Sequence, residues 1–246
     1  MLLHGQPGTG GDWSRVVARL ASLGVRAIAP DRPGYGRTSG AAAGLGANAD
    51  ALVRLLDTRG IESAVVAGHS LGGGVALAMA QRHPGRVAGL VLASSVGTAR
   101  SVGPLDRRLA APVLGPLATL VGLHAVARLL DIRRVVDYLG HVGLVSEAPD
   151  MATTLREWPS QWRSFVVEQR ALVAEIPGIA DRLGGVLAPT VVVMGQADRV
   201  VRPHEQERLA AAIPGARLVR VAGAGHLLPV EAPGVLADLC AELAQA

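Results

Sequence analysis

The sequence predicts an α/β fold, a mostly parallel sheet with helices on both faces and a helical insertion. Three observations carry that prediction. Short apolar runs alternate with longer stretches of helical spacing through most of the 246 residues, the pattern of strands buried on both faces and joined by helices. Half of the residues are hydrophobic, enough for a large core, and the length suits one large α/β domain. The alternation stops between about Gly97 and Ile176. There helical stretches follow one another with Gly and Pro punctuation and no convincing strand, which marks an insertion on the sheet.

The elements follow in chain order. Asp12 to Leu23 carries helical spacing and leads into an apolar run, Val25 to Pro30, that reads as a buried strand. Asn48 to Arg59 is a second helix, and Ser63 to Gly68 a strand running straight into a third helix, Leu71 to Arg82. Val87 to Ala93 is the next strand. Within the insertion, Leu109 to Ala127 carries no formal charge, but Pro112, Gly115, Pro116, Gly122 and His124 interrupt it. It therefore reads as a paired or broken helix of a soluble protein rather than a membrane span. The last inserted helix, about Ser160 to Ile176, places Trp162, Phe165, Val166, Gln169, Leu172, Val173 and Ile176 on one side, and Pro177 is expected to end it. Thr190 to Gly195 and Ala216 to Val221 are strands, and Pro203 to Ile213 and Pro233 to Ala244 are helices, with Pro203 suited to a first helical position.

Composition excludes several kinds of chemistry. All 24 basic residues are Arg. Without a Lys amine there can be no Schiff-base enzyme, Ser-Lys hydrolase or P-loop nucleotide enzyme. The net charge of +4 comes from Arg scattered along the chain, with no dense basic stripe and no interleaved aromatics, so nucleic-acid binding is not expected. The single Cys240 excludes an internal disulfide and a cysteine-built zinc site, which fits a reducing cytoplasm. No basic region followed by an apolar run marks a secretion signal. No stretch fits G-x-G-x-x-G and no His/Asp/Glu cluster has metal-ligand spacing, so no cofactor and no metal are implied.

One segment carries chemistry. Ala64-Val65-Val66-Ala67-Gly68-His69-Ser70-Leu71-Gly72-Gly73-Gly74 is an apolar strand that runs into G-x-S-x-G and then into a helix. A Ser on a sharp strand-to-helix turn adopts a strained backbone, and Gly68 and Gly72 remove the side chains that would collide around it. Its Oγ then stands at the carboxyl end of the sheet, where the first turn of the next helix places the Leu71 N–H to stabilise an oxyanion. A serine nucleophile needs a base, and the base needs an orienting acid. Asp198 follows the strand Thr190 to Gly195, and Gly223-Ala224-Gly225-His226 follows the next strand. The position after Val87 to Ala93 reads Ser94-Ser95-Val96-Gly97 and offers no carboxylate. Asp31 reads as a loop-fixing residue without a chemical role.

In these segments the chain resembles the α/β-hydrolase fold superfamily in its capped, esterase-like branch, which includes lactonases, perhydrolases and carbon–carbon bond hydrolases. Besides Gly68-His69-Ser70-Leu71-Gly72-Gly73, the resemblance rests on Leu2-Leu3-His4-Gly5-Gln6-Pro7-Gly8, Asp31-Arg32-Pro33-Gly34-Tyr35-Gly36-Arg37-Thr38-Ser39, Gly195-Gln196-Ala197-Asp198 and Gly225-His226. It spans nearly the whole chain. It implies Ser70 as nucleophile, His226 as general base, Asp198 as its orienting acid, and the backbone N–H groups of Gln6 and Leu71 as the oxyanion hole. It also implies a core of residues 1–96 and 177–246 and a helical cap of 97–176. Four of the chain's few aromatics, Tyr138, Trp158, Trp162 and Phe165, lie in that cap and are candidates for substrate contact or for anchoring the cap. Within this family a Ser nucleophile argues against dehalogenases and epoxide hydrolases, which need a carboxylate at that position.

The expected reaction is acyl transfer on a small to medium apolar ester or lactone through an acyl-enzyme on Ser70. Carbon–carbon bond hydrolysis and perhydrolysis are the alternatives, and a ligand-sensing protein that keeps the fold without turnover is the alternative of another class. The partner expected is a small-molecule substrate. Relatives of this kind begin with two antiparallel strands and a complete third strand, of which only Met1 to His4 are present here. The expectation is therefore about six strands, an absent N-terminal hairpin, and a natural start about 20 to 30 residues upstream, the length of two strands and a turn. An exposed edge at Val25 to Pro30 would then be available for homodimer formation.

Overall fold

The computed structural model of the chain describes residues 1–129 and 161–245. Five parallel strands, β1 (Leu2–Leu3), β2 (Ala64–His69), β3 (Val87–Ala93), β4 (Thr190–Gly195) and β5 (Arg217–Val221), lie in the order β1-β2-β3-β4-β5. Helices α1 (Ser14–Ser22), α2 (Leu45–Thr58) and α3 (Leu71–Arg82) precede β3. Between β3 and β4 come α4 (Pro104–Leu109), α5 (Leu114–Leu129) and α6 (Gln161–Ala180). Helix α7 (Pro203–Ala212) joins β4 to β5, and α8 (Leu228–Glu231) and α9 (Pro233–Gln245) close the chain.

Alternation along the strands explains why helices cover both faces. In β3, Leu90 and Leu92 point into one core with Leu52 and Leu56 of α2, Val75 and Met79 of α3 and Ile176 of α6. Val91 and Ala93 point into the other, with Val16 and Leu20 of α1 and Leu236 and Cys240 of α9. Successive side chains of a strand face opposite ways, so an uninterrupted apolar run supplies two cores at once. Each fully buried Leu or Val contributes about 1.5–3 kcal/mol over leaving it in water.

Val25 to Pro30 is not a strand, so among the described residues the sheet has five strands instead of about six. That segment runs beside β1, and the link between them is the Leu2 N–H to Ile28 O bond of 2.8 Å. A two-residue β1 offers too little backbone on that side to build a parallel ladder. Nor does Pro177 end the last inserted helix, since α6 continues to Ala180 with Pro177 inside it. The ring removes one N–H in the final turn, while the Asp181 N–H still closes on Pro177 O at 3.0 Å.

The inserted helices form the cap. Helices α4 and α5 pack on α6, and α6 reaches back into the sheet domain, where Ile176 and Ile179 are buried with α2 and α3. Among the described residues no helix is long and apolar enough to cross a membrane.

Candidate active site

The turn after β2 has the strain its sequence requires. Ser70 has φ 52° and ψ −119°, a region that L-residues avoid unless the surroundings impose it. Three backbone bonds impose it: Ser70 N–H to Ala93 O at 3.0 Å, and Gly73 N–H and Val96 N–H to Ser70 O at 3.0 and 3.2 Å. A Cβ at Gly72 would overlap the carbonyl oxygens of Leu3 and His4, and one at Gly68 would overlap the backbone of Gly72 and Gly73. The two glycines of the motif are therefore spatial requirements of the elbow.

Asp198 and His226 meet across the sheet's carboxyl end. His226 Nδ1–H donates to Asp198 Oδ2 at 2.9 Å, and Asp198 Oδ1 accepts the N–H groups of Val200 and Val201 at 2.8 and 3.0 Å. Burial of Asp198 works against its charge, but the His226 bond and the backbone donor outweigh it and hold the carboxyl below its ordinary range. The two loops are tied together by Ala197 N–H to Ala224 O at 2.8 Å. Glu231 of α8 fixes the histidine from either side, since Gly225 N–H and Leu227 N–H (3.1 Å) both donate to its carboxylate.

Ser70, Leu71, Gln6 and His226 line one cavity of about 380 Å³, closed from the cap by Leu105, Asp106, Leu109, Phe165, Gln169 and Leu172. Of the four cap aromatics, Phe165 lines the cavity. Trp162 does not lie on that wall; its ring sits beneath the Arg163 guanidinium, 5.2 Å from the centroid. Tyr138 and Trp158 lie outside the described residues. Among the described residues no cluster of three or more His, Cys, Asp or Glu could hold a metal ion. Asp31 accepts the N–H groups of Gly10 and Arg37 at 2.8 and 2.9 Å, the loop-fixing part expected of it.

Sequence reasoning missed a buried polar cluster behind the oxyanion loop. Arg32 donates to His4 O at 3.0 Å, to Gly5 O at 2.9 Å and to the carboxylate of Glu168, while the Tyr35 hydroxyl donates to Glu168 Oε2 at 2.7 Å. Arg32, Tyr35 and Glu168 are all but inaccessible to water. Burial raises the Glu168 carboxyl above its ordinary value against the pull of Arg32.

Two histidines beside the nucleophile are held neutral. His69 Nε2–H donates to His226 O at 2.8 Å, and burial, with His226 nearby, lowers its pKa to about 3. His4 Nε2 accepts from Arg32 N–H at 3.0 Å, so its proton sits on Nδ1, bonded to Gly5 O at 2.8 Å. Burial again lowers its pKa well below the ordinary value. Between the folded value of about 3 for His69 and an unfolded value near 6.5, only the unfolded chain binds the proton. Stability therefore falls as pH drops below about 6.5, with a slope of roughly 1 kcal/mol per pH unit for each such histidine. Urea unfolding of His69→Gln between pH 7 and 5 should show a slope shallower than the wild type by about that amount. An unchanged slope would show that His69 is not the group responsible.

The alpha/beta hydrolase fold family matches residues 1–233. The chain is an α/β-hydrolase. A 2-hydroxy-6-oxononadienedioate/2-hydroxy-6-oxononatrienedioate hydrolase of Paraburkholderia phymatum is 31% identical over 92% of this α/β-hydrolase and 80% of its own length. Among solved structures, an esterase from Thermogutta terrifontis is 25% identical with a TM-score of 0.75, covering 99% of this chain and 88% of its own. Est816, described as an N-acyl homoserine lactone degrading enzyme, is 26% identical with a TM-score of 0.75, covering 97% and 90%. The α/β-hydrolase thus has a Ser-His-Asp type of mechanism, and the three relatives named here are a dienedioate or trienedioate hydrolase, an esterase and a lactone-degrading enzyme.

Proposed function

We propose that this α/β-hydrolase attacks a substrate carbonyl with Ser70 Oγ, with His226 Nε2 as general base and Asp198 holding the ring. The observation that carries the reading is the His226 Nδ1–H bond to a carboxylate whose other oxygen is occupied by two backbone donors. That bond commits Nδ1–H to the carboxylate, so Nε2 is the nitrogen left for the cavity wall that His226 and Ser70 share. The backbone N–H groups of Gln6 and Leu71 are the donors proposed for the developing oxyanion. His226 gives the Ser70 proton to the departing half as the acyl-enzyme forms, and water, deprotonated by the same ring, then takes the acyl group while the proton returns to Ser70.

For the bond cleaved, the first reading is carbon–carbon, because the relative matched over 92% of the chain is named for hydrolysis of a 2-hydroxy-6-oxo dienoate. Such a substrate ketonises to a diketone whose departing carbon leaves as a conjugated enolate. Water supplies OH to the acyl half and H to that carbon, so the reaction balances as a hydrolysis. The second reading is ester or lactone hydrolysis. It is favoured by the two solved relatives and by the carboxylates of Asp12 and Asp106 on the cavity wall, which suit an uncharged substrate better than an anionic one. The lone buried Cys240 supports placing the enzyme in the cytoplasm.

The test pits 2-hydroxy-6-oxo-6-phenylhexa-2,4-dienoate against p-nitrophenyl esters from acetate to octanoate and an N-acyl homoserine lactone, with Ser70→Ala as control. A kcat/KM at least tenfold higher for the dienoate supports the first reading, and the reverse order supports the second. Turnover of none above the Ser70→Ala background would overturn both.

A further inference from the structure

The cap does more than cover the cavity. Two consecutive residues of α6 reach three consecutive residues of the loop after β1. Glu168 acts through Arg32, whose guanidinium holds the carbonyls of His4 and Gly5. Gln169, almost fully buried, takes the next residue directly, accepting from Gln6 Nε2 at 2.6 Å. Its own Nε2 donates to Asp106 Oδ1 of α4 at 2.7 Å, and Asp106 Oδ2 accepts the Gly103 N–H at 2.7 Å. Both Asp106 oxygens are thus acceptors, which decides the orientation of both amides. Gln169 must turn its NH₂ to Asp106 and its oxygen to Gln6, and Gln6 must answer with its NH₂; flipping either amide would set like against like.

We propose that Gln169 and Asp106 are positioning residues for the oxyanion hole, so that the cap sets the placement of the Gln6 backbone N–H beside Ser70. The inference rests on the reading of Ser70 as nucleophile and Gln6 N–H as an oxyanion donor. The donor aimed at developing charge matters only as the transition state forms. Loosening it should therefore lower kcat and leave substrate affinity nearly alone.

The experiment measures kcat and KM, on whichever substrate the wild type turns over, for Gln169→Leu, Gln169→Glu and the double variant Asp106→Asn/Gln169→Glu. Gln169→Leu removes the bond to Gln6 and Gln169→Glu sets two carboxylates against each other. Each should lower kcat about 10- to 100-fold with KM within about threefold, the scale of a misplaced oxyanion donor. In the double variant the amide at position 106 donates to the new carboxylate, whose other oxygen again accepts from Gln6. It should regain kcat to within about threefold of the wild type, by the logic of a double-mutant cycle. A merely structural part would instead lower the melting temperature of all three without recovery of kcat. Wild-type kcat in folded Gln169→Leu, a change confined to KM, or no recovery in the double variant would overturn the proposal. Absence of fluorophosphonate labelling at Ser70 in the wild type would instead overturn the reading beneath it.

Discussion

Asp198→Asn is expected to lower kcat about 10⁴-fold while KM and melting temperature change little, the scale set by loss of the correct histidine tautomer in a triad. The reason lies in the unequal surroundings of the two oxygens. Oδ1 receives the N–H groups of Val200 and Val201 and must remain an acceptor. An amide at this position is therefore forced to turn its NH₂ toward His226 Nδ1, where the carboxylate oxygen now sits at 2.9 Å. The ring answers by moving its proton to Nε2, and a protonated Nε2 cannot take the proton of Ser70. Steady-state kinetics beside a thermal melt reads this directly. A loss below tenfold would mean that Asp198 does not orient the base.

The second large effect concerns stability. Arg32→Met should cost about 3–5 kcal/mol, because it leaves Glu168 buried without its cation. For a chain of this size that is a drop of about 6–20 °C in melting temperature. Burial already raises the Glu168 carboxyl, and Arg32 opposes the rise. Without Arg32 the folded carboxyl rises further above its unfolded value, so the folded variant binds a proton that the unfolded chain releases. Its stability relative to the wild type should therefore worsen as pH rises from 5 to 8. The double variant Arg32→Met/Glu168→Met should recover part of the loss, since an apolar pair leaves no orphaned charge. Urea unfolding of the three variants at both pH values checks the sign. A double variant less stable than Arg32→Met would contradict it.

The strands that build the site were legible because their signal is local. Val87 to Ala93 and Thr190 to Gly195 are apolar runs bounded by turn residues, and the structure places both at those limits. Ser70, Asp198 and His226 could be singled out as candidates because each follows a strand's carboxyl end, where a parallel sheet gathers its loops. Val25 to Pro30 carries the same apolar signal, but a strand needs a partner, and β1 supplies too little backbone there. The Arg32, Tyr35 and Glu168 cluster stayed hidden because Glu168 lies 133 positions from Tyr35 and 136 from Arg32 in sequence. A faint trace existed in Gln169, a polar residue in the apolar stripe of the last inserted helix. Buried polar residues are kept where they have partners, and Gln169 has two.

The most direct test of the central claim is mass spectrometry of the intact enzyme and its peptides after a fluorophosphonate probe. One adduct per chain is expected, on the peptide between Arg59 and Arg82 that carries Ser70. The adduct should be lost in Ser70→Ala, and its formation slowed in Asp198→Asn and His226→Ala. No adduct on a folded wild-type enzyme, or an adduct that persists in Ser70→Ala, would contradict it.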